Sequence, residues 1–259
     1  MHDAWDPELY ERFKHQRAQP ARDLMALVAR QPGMRVLDLG CGTGEITAEL
    51  HGALGAASTL GIDRSTAMLA QASARQAQGL RFTDADIRTF APDGALDLVY
   101  SNAALQWVDD HPALLARFKG WLAPGGQLAI QVPCADGHPT HTVAQELGER
   151  YGTGSLYHGG SRVLNAEGYA ALLYRLGFEQ QQVFTRVYGH VLPDIDALVT
   201  FFSSTLLNPY KAALGEPRFA EFLRDYRAGL ASHLGEPKPL FFPMARTLLW
   251  ARMPQTIRP

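Results

Sequence analysis

The stretch Val36-Leu-Asp-Leu-Gly-Cys-Gly-Thr-Gly44 decides the fold of this chain. Arg35 to Leu39 reads as a short apolar strand, and the residues after Gly44 read as a helix to about His51. In a doubly wound sheet a glycine-rich loop between strand and helix lies at the carboxyl edge, where ligands bind. Outward from this unit the alternation continues. Thr59 to Asp63 is a second strand, and Ser65 caps a helix carrying Met68, Leu69 and Ala72. Leu80 to Thr83, Leu96 to Tyr100 and Gln127 to Val132 are three more strands. Asp110 caps a helix with Pro112 near its start, and Pro124-Gly-Gly126 is a turn. Strands alternating with helices imply a parallel sheet covered on both faces.

The flanks are less regular. Asp6-Pro7 caps a short piece with Leu9 and Phe13, bounded by Pro20, and Leu24, Leu27 and Val28 stripe the next helix. Residues 133–164 hold six glycines and little periodicity, and read in part as loop. Asn165 caps a helix stopped by Gly177, Val183 to Val191 is a candidate strand, and Arg246 to Arg252 is a last one. Two helical stripes lie between these strands, one from Ile195 to Phe202 and one from Phe219 to Tyr226.

Composition narrows the class. The 259 residues are 46% hydrophobic and 19% charged, enough to bury a core without disulfides. A net charge of −2, from 24 basic and 26 acidic residues, lacks the basic excess of a nucleic-acid or membrane-surface protein. Cys41 and Cys134 make no disulfide framework, and the first residues carry no secretory signature. The expected setting is cytoplasmic, as a monomer or weak homodimer. No metal is expected, because Cys134-x3-His138-x2-His141 matches no usual zinc spacing.

The loop spacing is G-x-G-x-G, not the G-x-G-x-x-G of a pyrophosphate loop. Asp38 ends the strand two positions before Gly40. There it would repel a pyrophosphate and accept from an ammonium. Asp63 ends the second strand, where it can accept from both hydroxyls of a ribose. A ligand with a ribose and an amino-acid end suits both acids, and S-adenosylmethionine is such a ligand.

At this point the chain resembles the class I S-adenosylmethionine-dependent methyltransferases, through Leu37-Asp-Leu-Gly-Cys-Gly-Thr-Gly44, Gly61-Ile-Asp63 and Ala85-Asp-Ile87. A narrower resemblance, to the trans-aconitate methyltransferases, covers nearly the whole chain. It rests on Trp5-Asp-Pro-Glu-Leu-Tyr10, Ser101-Asn-Ala-Ala-Leu-Gln-Trp107, Gln131-Val-Pro133, Pro139-Thr-His141, Phe201-Phe-Ser-Ser-Thr-Leu-Leu-Asn-Pro-Tyr210 and Ala245-Arg-Thr-Leu-Leu-Trp-Ala-Arg252. The resemblance implies a Rossmann-like, doubly wound, mostly parallel seven-stranded sheet with an antiparallel edge strand and added helices over the active site. It implies one methyltransferase domain over 1–259: a helical lid at 1–30, a cofactor core at 31–133 and substrate-side insertions at 134–259.

The resemblance also implies roles. Asp63 holds the ribose, and Gly40, Cys41, Gly42 and Gly44 pass under the methionine part together with Asp38. Asp86 and Ile87 meet the adenine, while Arg64 and Met68 flank the adenosine. Asn102, Ala103 and Trp107 lie at the methionine end. The acceptor, a small carboxylic acid to be converted to a methyl ester with S-adenosylhomocysteine as the other product, is expected near Gln106, Trp107, Arg17, Arg22, Asn208 and His111. Two positions depart from the family, Gln19 before Pro20 and Asn208 before Pro209, where arginines are usual. Other acceptors (a carrier-bound malonyl thioester, a hydroxyl or a carbon) stay open, as does a non-catalytic protein that only binds the cofactor. A hydroxyl or carbon acceptor would need a base, for which His111 is the candidate.

Overall fold

A computed structural model describes residues 14–134, 137–156 and 162–256, with the backbone alone for 14–17. The expected helix near Asp6, Leu9 and Phe13 lies outside these residues. Seven strands form one sheet: β1 (Arg35–Leu39), β2 (Ser58–Asp63), β3 (Leu80–Asp84), β4 (Leu96–Asn102), β5 (Leu122–Cys134), β6 (Gln180–Leu192) and β7 (Leu240–Arg252), in the order β3-β2-β1-β4-β5-β7-β6. Strands β1 to β5 are parallel. β7 runs antiparallel to both neighbours, β5 and β6, and so lies one place in from the edge strand β6. The order reverses between β1 and β4, which opens the ligand crevice of such a sheet beyond their carboxyl ends.

Alternation along each strand divides the core. On one face α1 (Lys14–Ala26) and α2 (Glu45–Leu54) bring Leu24, Leu50 and Leu54 onto Val36, Tyr100 and Trp250. On the other, α4 (His111–Trp121) and α6 (Ala166–Arg175) bring Leu115, Phe118 and Leu172 onto Leu37, Val99 and Ile130. Because both faces are covered, β1 and β4 read as nearly continuous apolar runs. A third cluster caps the carboxyl edge beside β5. In it α5 (Pro139–Arg150), α7 (Ile195–Ser203) and α8 (Asn208–Leu234) pack on Leu192, Leu240 and Phe242 at the ends of β6 and β7. The short α3 (Thr66–Ala72) follows β2.

Four local departures have physical causes. Pro20 does not bound a helix but lies inside α1. A proline removes one donor from a helix interior, and here Ala21 and Leu24 are fully buried while Tyr100 Oη donates to the Ala21 carbonyl at 2.8 Å. Pro124-Gly-Gly126 is not a free turn but a bulge within β5, where pairing jumps from Leu96↔Leu122 to Leu98↔Gln127. Part of 133–164 forms α5, started by Pro139 at its first turn and by the His138 side chain accepting from Thr140 N. Finally, α8 is two helical pieces joined across a kink at Gly215, whose φ is 70°.

Candidate functional site

The glycine loop closes tightly onto β2. The amides of Gly40 and Cys41 both donate to the Ile62 carbonyl, at 2.8 and 3.0 Å. Gly40 has φ +77°, and a Cβ there would meet Ala104 Cβ at 2.3 Å. Gly42 differs: its φ is +56°, and a Cβ would meet nothing within 4 Å. Gly40 is therefore demanded by the protein's own packing, while Gly42 leaves bare backbone at the crevice, where a ligand can approach.

Asp63 holds this loop in place. One carboxylate oxygen accepts from Gly42 N at 2.8 Å and the other from Ser65 N at 2.9 Å. Each carboxylate oxygen carries two lone pairs, so one oxygen can accept more than one hydrogen bond. Ser65 caps α3 by accepting from Met68 N at 3.1 Å, and Met68 is buried.

Asp38 lies on β1 on the face covered by α1 and α2. It is buried and accepts from Thr47 Oγ1 at 2.6 Å. Burial pushes its carboxyl up to about 7; the Thr47 hydroxyl opposes this and the charge of Asp63 adds to it. Burial likewise pushes the Cys41 thiol up, which leaves it unreactive.

Beyond β3, Asp86 accepts from the backbone and side chain of Arg88 and has Arg64 at 3.6 Å. The Arg88 pairing holds its carboxyl down at about 2. Arg117 on α4 donates to the carbonyls of Ile87 and Arg88 and fixes this turn.

The end of β4 carries the least satisfied polar groups. Asn102 pairs in register with Gln131 on β5, and Ala103 follows with a left-handed φ of 53°. Strained backbone in a non-glycine residue concentrates at functional sites. Asn102 Oδ1 and Gln106 Oε1 are buried and have no hydrogen-bond partner among the described residues. Gln106 Nε2 donates to the Ala103 carbonyl at 2.8 Å. Two buried acceptors in need of donors suit an ammonium group, which brings three donors and no acceptor. Trp107 packs against the helical cap, and Arg162, paired with Asp109 at 2.5 Å, reaches its carbonyl at 3.5 Å.

Several expected acceptor residues are occupied elsewhere. His111 is buried, with Nδ1 2.6 Å from Tyr169 Oη and Nε2 3.0 Å from the Leu105 carbonyl. Burial lowers its pKa. Both ring nitrogens are used, so it ties α4 to α6 and is no base for an acceptor. Arg22 is exposed and bidentate to Glu49, at 2.8 and 3.1 Å, so it joins α1 to α2 instead of facing an acceptor. Asn208 is buried in the helical cap and donates to the Ser204 carbonyl at 3.2 Å. Gln19 is exposed and donates to Asp23 at 2.8 Å. The Arg17 side chain lies outside the described residues.

Comparisons with known proteins give the family. A family model described as a methyltransferase domain matches residues 13–183. The chain is 42% identical to a trans-aconitate 2-methyltransferase of Deinococcus radiodurans, over 97% of this chain and 99% of that protein. It is 37% identical to one of Acidovorax ebreus, over 87% and 88%. The chain belongs to the class I S-adenosylmethionine-dependent methyltransferases, in the trans-aconitate 2-methyltransferase family.

Solved structures of lower identity share the fold. One is the YcgJ protein of Bacillus subtilis, with TM-score 0.60, 14% identity, and 92% and 100% of the two chains covered. Another is the Haemonchus contortus phosphoethanolamine N-methyltransferase 2 in complex with S-adenosyl-L-methionine, with TM-score 0.59 and 20% identity; this chain covers 53% of that one.

In a methyltransferase of this family the glycine loop, Asp63 and the unmet acceptors Asn102 Oδ1 and Gln106 Oε1 fit the cofactor's ribose and ammonium. Reasoning from sequence did not single out Thr47, Asp23, Gln131, Arg162, Arg186 or Arg246. The available signal was a glutamine and an arginine inside otherwise apolar strands, Gln131 and Arg246. Among the described residues no helix is long and apolar enough to cross a membrane, and no group of three or more His, Cys, Asp or Glu is placed to hold a metal ion.

Proposed function

We propose that this protein transfers the methyl group of S-adenosylmethionine to a carboxylate of trans-aconitate, giving a methyl ester. The observation that carries this is 42% identity over nearly the full length to a trans-aconitate 2-methyltransferase, supported by Asp63 holding the glycine loop, the unmet acceptors at the end of β4 and the engagement of both His111 ring nitrogens within the fold. Asp63, Gly40, Gly42 and Gly44 hold the cofactor. Asp38, Asn102 and Gln106 orient its methionine end, with Asp86, Ile87, Arg64 and Met68 around its adenosine. When bound, the cofactor supplies an electrophilic methyl group on a sulfonium.

The chain's own work is positioning. A carboxylate with an ordinary pKa of about 4 is already an ionised nucleophile at neutral pH, so no residue need remove a proton. The burial of His111 in a structural pair is therefore compatible with turnover. Trp107 and the helical cap exclude water from the gap beyond β4, and the rate enhancement comes from orientation and desolvation. The setting is proposed to be the cytoplasm.

With methyl-labelled S-adenosylmethionine and trans-aconitate, the label is expected in an acid one methyl heavier than trans-aconitate, released again by mild alkali as an ester must be. Label in a base-stable product would place the methyl on carbon or an ether oxygen and refute ester formation.

A further inference from the structure

The parts of the cofactor follow the order of the strands. Asp86 comes after β3, Asp63 ends β2, the glycine loop follows β1, and Asn102 ends β4. In the proposed binding mode these meet the adenine, the ribose, the methionine chain and its ammonium, in that order. The next strand along the same carboxyl edge is β5. The methyl acceptor therefore falls beyond Asn102, over the end of β5.

Gln131 stands at that place. It pairs in register with Asn102, and neighbouring strands lie about 4.8 Å apart. Alternation puts Gln131 on the same face as Ala129, and Asn102 on the same face as Tyr100, which is the face under α1 and α2. Asp38 is the register partner of Tyr100 and shares that face.

Gln131 is 1% exposed, and its Nε2 has no hydrogen-bond partner among the described residues. Asn102 Oδ1, an acceptor one strand away, is unmet as well. Two side-chain amides in register can satisfy one another, and here they do not. On its other side Gln131 is paired with Leu248 of β7, whose side chain has no polar atom to offer. Buried donors are nearly always matched, so a donor left unmet beside an unmet acceptor calls for a role outside folding.

We propose that Gln131 Nε2 donates a hydrogen bond to the reacting carboxylate of the acceptor, on the oxygen that does not attack. The inference rests on the reading of the protein as a carboxylate methyltransferase, and it adds a catalytic residue to that reading. The attacking oxygen supplies the electron pair of the new O–CH3 bond. The pair of the breaking S–CH3 bond returns to sulfur, giving an ester and a thioether with no proton transferred. The carboxylate's negative charge and the sulfonium's positive charge thus both fade in the transition state. A cation on the reacting carboxylate would hold the ground state more tightly than the transition state and oppose transfer. A neutral amide loses less in this way while still fixing the direction of attack.

The test compares the parent with Gln131→Leu and Gln131→Glu. Initial rates are read with saturating S-adenosylmethionine and varied trans-aconitate across pH, beside calorimetry with S-adenosylhomocysteine. Gln131→Leu replaces an unmet donor by an apolar group of similar size, so its melting temperature should equal or exceed the parent's. It is expected to lower kcat/KM for trans-aconitate by roughly 10- to 100-fold, with S-adenosylhomocysteine affinity changed by less than about threefold. Gln131→Glu sets one carboxylate against another near pH 8 and should be slower still. As pH falls its carboxyl takes up a proton and becomes a donor, so its rate relative to the parent should climb, by up to about one decade per unit. A purely structural role for Gln131 would give no such climb.

Parent-like kcat/KM in Gln131→Leu would overturn the assignment, as would a flat rate ratio for Gln131→Glu. A parallel loss of S-adenosylhomocysteine affinity in Gln131→Leu would overturn it too, by moving the amide to the cofactor. If Gln131→Leu does not fold, the pH course of Gln131→Glu decides alone. An inactive parent that binds S-adenosylhomocysteine normally would instead overturn the carboxylate-methyltransferase reading, and this role with it.

Discussion

Asp63→Ala is expected to weaken S-adenosylhomocysteine binding by about 2–4 kcal/mol, roughly 30- to 1000-fold, the range for losing several bonds to one charged group. The size follows from the double duty of this carboxylate. It is placed to accept from the ribose diol, and it already holds Gly42 N and Ser65 N at 2.8 and 2.9 Å. Removing it loses the diol contacts and also releases the amide that keeps the loop pressed on β2. Asp63→Asn separates the two effects. It keeps a neutral acceptor for one amide, so it should retain stability near the parent's while losing about half of the binding energy. Calorimetry with S-adenosylhomocysteine, beside a melting curve, reads both. Parent-like affinity in Asp63→Ala would remove the ribose assignment.

The second large effect concerns Asp38 and pH. Its folded-state pKa is raised to about 7 from the ordinary 3.8, mainly by burial. For an acid raised in the folded state, its contribution to stability is complete below about pH 4 and is lost as pH rises through about 7. A shift of this size corresponds to about 4 kcal/mol as an order of magnitude. Asp38→Asn keeps the shape and an acceptor for Thr47 but cannot ionise. The ligand-free variant should therefore unfold at a higher temperature than the parent at pH 8 and at a similar one at pH 4.

Binding runs the other way. An ammonium beside Asp38 favours its charged form, so the parent should bind S-adenosylhomocysteine more tightly as pH rises from about 5 to about 7, by up to about one decade per unit with a proton released, and level off above that. The variant should bind weakly and without this slope. A slope that persists in Asp38→Asn would move the titrating group, and the ammonium contact, to another residue.

The core and the glycine loop at the carboxyl edge were legible because local and global signals coincide there. Strand β1, its loop and Asp63 are set by apolar runs, positive-φ glycines and an acid at a strand end, all short-range features. The acceptor side was not legible in the same way. Arg22 and His111 are polar residues near the site in sequence, yet Glu49 and Tyr169, 27 and 58 residues away, take their hydrogen bonds. Local pattern does not carry such long-range pairing. Pro20 reads as a boundary, but tertiary contacts at Ala21 and Leu24 carry α1 through it. Arg246 and Gln131 stand out as polar residues inside otherwise apolar strands, but hydropathy does not say which residues they neighbour. Only the register of β5 and β7 brings them together, and an antiparallel pairing across more than a hundred residues leaves no local mark.

The most direct test of the central claim is the initial rate of methyl transfer from labelled S-adenosylmethionine to trans-aconitate, cis-aconitate, citrate and simple monocarboxylates, side by side. The account predicts saturable turnover with the largest kcat/KM for trans-aconitate, roughly tenfold or more above each other acid, as loss or misplacement of one charge-assisted contact requires. Equal rates across the acids, or no turnover of trans-aconitate by protein that binds S-adenosylhomocysteine normally, would contradict it.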